Sequence, residues 1–155
     1  MPKQVMERRA ADNAYLHKDF HSALNCGLIY LHQRFGEAAV RHYLQQFARS
    51  WYGPLRQRLQ TEGLPALRRH FEAVYATEQG EVRFEESRDE LVLHVAACPA
   101  VQHIRARGEA VSPLFIETTR TVNEALCEGT PYAAELLSYE AETGRSTQRF
   151  RRRSP

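Results

Sequence analysis

Cys98 stands directly before Pro99. Proline favours the first position of a helix, so Cys98 is expected at the cap. A thiol placed there faces unpaired amides at the positive end of the helix dipole, which stabilises the thiolate and lowers the thiol pKa. His94 and His103 lie on either side in sequence, and each is a candidate base for a nucleophilic cysteine. The competing reading is a buried cysteine acting as a small core hydrophobe.

Two other groups have spacing that permits chemistry. Ile116, Arg120, Asn123 and Cys127 recur at helical spacing and form a chemically mixed stripe beside the core stripe of Phe115, Val122 and Leu126. An arginine beside an asparagine suits a small carboxylate, held by bidentate hydrogen bonds, and Cys127 would extend that binding face. Alternatively, Arg120 pairs with Glu117 or Glu124 along its own helix. His17 and His21 are four residues apart, with Asn25 and His32 continuing the same side. The pair lacks the third and fourth ligands of a metal site and the Glu of the metalloprotease arrangement, so no metal is expected. His21 would instead line a pocket or form a half-exposed polar flank.

These residues need elements to position them. Residues 1–13 show no periodicity and are expected as a poorly ordered arm. From Tyr15, Leu16, Phe20, Leu24, Gly27 and Leu31 line one helical face up to Gly36. Val40, Leu44, Phe47 and Trp51 mark a second helix, broken at Gly53-Pro54. A short helix runs to Gly63, and Leu64, Leu67, Phe71 and Val74 mark another. The period then changes to two: Val82 and Phe84, then Leu91, Leu93 and Val95, alternate across a turn at Ser87-Arg88-Asp89. A short helix to Gly108, a longer one from Ser112-Pro113 to Gly129, and strands near 133–139 and 146–152 complete the chain. The expected fold is α+β, with N-terminal helices (14–79) packed on a small antiparallel sheet of two hairpins flanking two helices (80–152). Residues 14–155 would form a single domain.

Composition narrows the function. The 155 residues carry 21 Lys+Arg and 19 Asp+Glu, a net charge of +2. Five of those arginines crowd the last eleven residues, so the remainder holds 16 basic against 19 acidic groups. That sign argues against nucleic acid as a partner, and the arginine cluster reads as a solvated tail. No apolar run approaches the ~20 residues of a membrane span, and the N-terminus lacks a secretory pattern. Three widely separated cysteines form no disulfide framework. A cytoplasmic protein with free thiols, no membrane partner and no cofactor is expected. Phosphate-cradling glycine loops, dinucleotide fingerprints and nucleophile elbows are lacking.

Cys98-Pro99-Ala100-Val101, the stretch from Glu117 to Glu124, Gly129-Thr130-Pro131, and Cys26-Gly27-Leu28-Ile29-Tyr30 ahead of Phe35-Gly36 form a combination with a family character. Over residues 15–152 the chain resembles bacterial proteins grouped with the L-2-amino-thiazoline-4-carboxylic acid hydrolases. A more distant likeness, over 80–152, is to the small-ligand-binding domain named for 4-vinyl reductase. The first resemblance implies hydrolytic opening of a cyclic amidine or thiazoline amino-acid derivative. Water would add at the carbon between ring nitrogen and sulfur, giving a carbamoyl-cysteine. Its chemical needs map onto Cys98 as nucleophile, His94 or His103 as acid/base, and Arg120 with Asn123 for the substrate carboxylate. Glu117 would activate water if burial raised its pKa. The second resemblance implies a non-catalytic ligand sensor and admits a homo-oligomer as partner arrangement. A third reading is an interaction module whose helical half packs on itself or a partner, marked by an apolar patch on the outer helices.

Overall fold

A computed structural model describes residues 18–154. The expected arm over 1–13, and His17, lie outside them. Four helices come first: α1 (Asp19–Phe35), α2 (Glu37–Trp51), α3 (Gly53–Glu62) and α4 (Leu64–Thr77). Gly36 and Gly63 separate them at φ of 85° and 74°, a backbone region where side chains with a Cβ are strained. Pro54 and Pro65 stand in the first turns of α3 and α4, where a missing N–H costs nothing.

The chain continues through β1 (Val82–Glu86), β2 (Glu90–Val95), α5 (Pro99–Ala106), α6 (Glu117–Cys127), β3 (Tyr132–Tyr139) and β4 (Ser146–Arg152). The α+β class is as expected. The two hairpins join through β2 and β4 into one antiparallel sheet of order β1-β2-β4-β3. The turn at Ser87 is closed by Ser87 Oγ, which accepts from the Glu90 amide at 3.1 Å. Helix α6 begins later than its sequence suggests. Ser112 Oγ accepts from the Leu114 amide at 3.2 Å, holding 112–116 in turns before Glu117.

Period-two alternation divides the sheet. Leu91, Leu93 and Phe150 are fully buried against Leu59, Leu67 and Leu126 from the helices, each worth ~1.5–3 kcal/mol in transfer terms. The opposite face is a charged ladder in which Glu85, Val92, Arg149 and Glu135 are cross-strand neighbours. The C-terminal arginines are therefore not a solvated tail. Arg149 bonds Glu135 at 2.6 Å, Arg152 bonds Asp89 at 3.0 Å, and Arg153 donates to the Tyr132 carbonyl at 2.8 Å. A second core joins Leu28, Val40, Leu44, Val101, Ile104 and Val122 between α1, α2, α5 and α6. Among the described residues, no helix is long and apolar enough to cross a membrane.

Helix α1 departs from its sequence pattern. Its buried side chains are Ser22, Asn25 and Leu28, whereas Phe20 is about half exposed and Gly27 is exposed. Of the apolar stripe read from the sequence, Leu24 and Leu31 are half-buried against the core, whereas Phe20 and Gly27 lie on the outer face of the helix.

Candidate functional site

Cys98 is the N-cap of α5, with φ −76° and ψ 119°. Its amide donates to the Thr143 carbonyl at 2.9 Å, tying the helix start to the β3–β4 turn. Gly144 in that turn lies against the Cys98 side chain at φ 69°, leaving no space for a Cβ. The cap geometry matches the sequence reading, but its electrostatic consequence is reversed. Burial pushes the Cys98 thiol above its ordinary pKa and the Glu78 carboxylate adds to the rise, outweighing the downward pull of the Val101 and Ala100 amides. The resting group is a neutral thiol. Its neighbours Tyr75 and Tyr139 are also raised, chiefly by burial and further by Cys98; Tyr139 is pushed up to about 12.

The two histidines flanking Cys98 go to different places. His94 points to the charged ladder side of β2, where its Nε2 lies 3.1 Å from Glu85 Oε1. Cys98 instead packs against the helical core. His103, on α5, faces the start of α1: its Nε2 is 3.5 Å from Asp19 Oδ1 and its ring centroid is 6.3 Å from that of His21. His21 Nε2 in turn lies 3.2 Å from Oε1 of Glu78, the residue that ends α4. Three helices thus converge on a cluster of His21, Glu78, His103 and Asp19, close enough to Cys98 for the Glu78 charge to act on the thiol. Glu78 Oε2 and His103 Nε2 are buried without hydrogen-bond partners. Arg107 closes the edge, 3.2 Å from Asp19 and 2.9 Å from Glu109.

Sequence reasoning missed Glu78 and Asp19 and assigned Asn25 no role. Asn25 anchors the cluster from below: its Nδ2 donates to the Ala110 carbonyl and its Oδ1 accepts from the Ser112 amide, both at 2.8 Å. Its position on the His21 side of α1 was visible, but its partners lie 85 and 87 residues away. Glu78 had no periodic signal at all. Among the described residues, no three His, Cys, Asp or Glu side chains are arranged to share a metal ion.

The α6 residues do not assemble a carboxylate clamp. Arg120 Nη1 donates to Glu117 Oε1 at 3.0 Å, the within-helix alternative, and remains half exposed. Asn123 is buried and donates to Gln148 Oε1 at 2.8 Å; Gln148 passes the chain on to Ser146 Oγ at 3.0 Å. Glu117 is 1% exposed, with Oε2 accepting from Thr121 Oγ1 at 2.7 Å and Oε1 also 3.4 Å from Arg41. It reads as a structural carboxylate that fastens α2 to α6. Cys127 is wholly buried in the core beneath the sheet, and burial pushes its thiol up to about 12, so it faces no ligand.

A separate concavity of about 380 Å³ opens on the outer side of α1 and α2, lined by apolar residues that include Leu24, Gly27, Leu31 and Tyr43. No protein-family model, curated protein or solved structure matches this chain.

Proposed function

We propose that the His21–Glu78–His103 cluster is an acid–base site for hydrolysis of a small cyclic amidine or thiazoline acid. The observation that carries it is Glu78 Oε2, buried within the cluster without a hydrogen-bond partner while the other carboxylate oxygen meets His21. Leaving a buried polar atom unpaired costs on the order of 1–3 kcal/mol, and such a cost is typically retained at sites that engage a substrate or water. In this reading the Glu78–His21 pair takes a proton from water as its oxygen bonds the amidine carbon; the C=N π pair moves onto the ring nitrogen, which receives that proton. The hydroxyl then gives its remaining proton to the Glu78–His21 pair and becomes the carbonyl as the ring C–S bond breaks, while His103 supplies a proton to the departing sulfur and regains it from the pair. Arg107 at the edge receives the substrate carboxylate in place of Arg120. Cys98, held neutral, is a hydrogen-bond donor rather than a resting thiolate nucleophile.

The test is thiol release from 2-amino-thiazoline-4-carboxylate and related ring compounds by the wild type, Glu78→Gln, His103→Ala and Cys98→Ala. Loss of an acid or base typically costs roughly 100-fold or more. The reading expects that loss for Glu78→Gln and His103→Ala and a smaller one for Cys98→Ala. A wild type inactive on every ring compound, or variants turning over at the wild-type rate, would refute it. The open apolar groove on α1 and α2 favours a second role, in protein interaction.

A further inference from the structure

From the outer face of α1 and α2 we infer a homodimer interface, in which the α1–α2 hairpins of two copies pack as a four-helix bundle. Helix α1 carries apolar residues on two sides: Leu28 faces the core, while Phe20, Ala23, Gly27 and Tyr30 run along the outer side at helical spacing. The inner face even carries the polar Ser22 and Asn25, while the outer face leaves Phe20, Tyr30 and Phe35 at 49%, 59% and 63% exposure. Tyr43, Phe47 and Trp51 follow at four-residue spacing along α2, with Tyr43 at 45% and Trp51 at 64%.

The area selects the occupant. At roughly 200 Å² per aromatic side chain, the five exposed rings present on the order of 500 Å². That is at the upper end for the largest patch of a monomer and is most of the about 800 Å² per partner of a stable interface. Ala23 and Gly27 sit at the centre of the groove, and a Cβ on Gly27 would meet nothing within 4 Å, so a second helix has room to approach. In a two-fold arrangement with α1 antiparallel to its copy, exposed Arg34 at one end meets the Asp19 end of the partner, and the helix dipoles oppose favourably.

Sedimentation velocity on the full chain, from about 1 to 100 μM, tests this together with Gly27→Lys and Leu137→Lys. The lysine at position 27 enters open space within the protomer, so far-UV circular dichroism should be unchanged while the dimer dissociation constant rises at least tenfold. Leu137, exposed at 45% on the sheet, serves as the control and should leave dimerisation unchanged. A wild type monomeric throughout overturns the inference, whether its groove then takes a different helix or a lipid surface. A Gly27→Lys variant as dimeric as the wild type overturns it equally, by placing the interface elsewhere. Neither outcome bears on thiol release, so the hydrolase proposal stands or falls separately.

Discussion

Removing the Glu117 carboxylate separates the structural reading of this residue from its sequence expectation as a water-activating base. The carboxylate is 1% exposed and bonds Thr121, Arg120 and Arg41. Both arginines are over 40% exposed, so on Glu117→Ala they turn to water, and each lost ion pair costs at most ~1 kcal/mol. Thr121 is 3% exposed and loses its acceptor, a cost of ~1–3 kcal/mol unless its hydroxyl turns back to a carbonyl of its own helix. The total is about 2–4 kcal/mol. Glu117→Gln keeps the volume and an acceptor for Thr121, surrendering only the charge, and should cost ~0.5–1.5 kcal/mol. At roughly 2–4 °C per kcal/mol for a domain of this size, alanine lowers Tm by about 4–16 °C and glutamine by about 1–6 °C. Urea unfolding followed by far-UV circular dichroism measures both, since Trp51 is 64% exposed and a poor reporter of the core. Glutamine as damaging as alanine would refute the reasoning, because charge would then be the dominant contribution. Alanine within ~0.5 kcal/mol of the wild type would refute it from the other side.

Iodoacetamide at neutral pH, read by mass spectrometry, should label exposed Cys26 first, Cys98 slowly, and Cys127 only on unfolding. Cys98 reacting as fast as Cys26 would restore the activated-thiol expectation. Cys127 is pushed up to about 12 from an ordinary value near 9, so between those values the unfolded chain loses a proton that the native state keeps. Its contribution is fully present below about pH 9 and is lost as pH rises toward 12, by on the order of 4 kcal/mol at most. Unfolding titrations should show Cys127→Ala losing less stability over that window than the wild type; equal slopes would contradict the sign. Gly144→Ala should cost ~2–4 kcal/mol, since its backbone is left-handed and the new methyl meets Cys98 and Val101. Gly129→Ala, at φ 70° in open space, should cost only ~1 kcal/mol; chemical denaturation giving equal costs would show that contact with Cys98 is immaterial.

Local rules made much of the fold legible. Proline in a first turn and glycine at positive φ govern helix ends within a few residues, which is why Pro99 located the α5 cap and Gly36 and Gly63 located the helix breaks. Alternation placed β2 and the buried Leu91 and Leu93. A small antiparallel sheet of two hairpins was expected, but its strand order was not legible, because the β2–β4 pairing, such as Leu91 with Phe150, links distant segments with no turn to announce it. At the site, His21 and His103 were identified but their acidic partners were not: Glu78 lies 57 residues from His21. Cys98 shows the limit of a local electrostatic argument. The cap amides act in the expected direction, yet the packing of α5 that buries the sulfur is a tertiary property, and it acts more strongly.

Helix α1 is where the two proposals meet. Ser22 and Asn25 occupy its inner face, where Asn25 satisfies both Ala110 and Ser112, while His21 meets Glu78 beside them. Those polar demands fix the rotation of the helix, since its side chains repeat every 3.6 residues. Once Asn25 points inward, Phe20, Gly27 and Tyr30 must point outward, whatever their hydrophobicity. The outward turn of Phe20 and Gly27, with Leu24 and Leu31 left at the core's edge, is thus the geometric consequence of placing polar chemistry under α1. A second copy covering the outer face would recover the apolar burial that this orientation leaves unused. A helix serving both faces explains why its hydrophobic pattern fits neither a surface helix nor the core of one protomer.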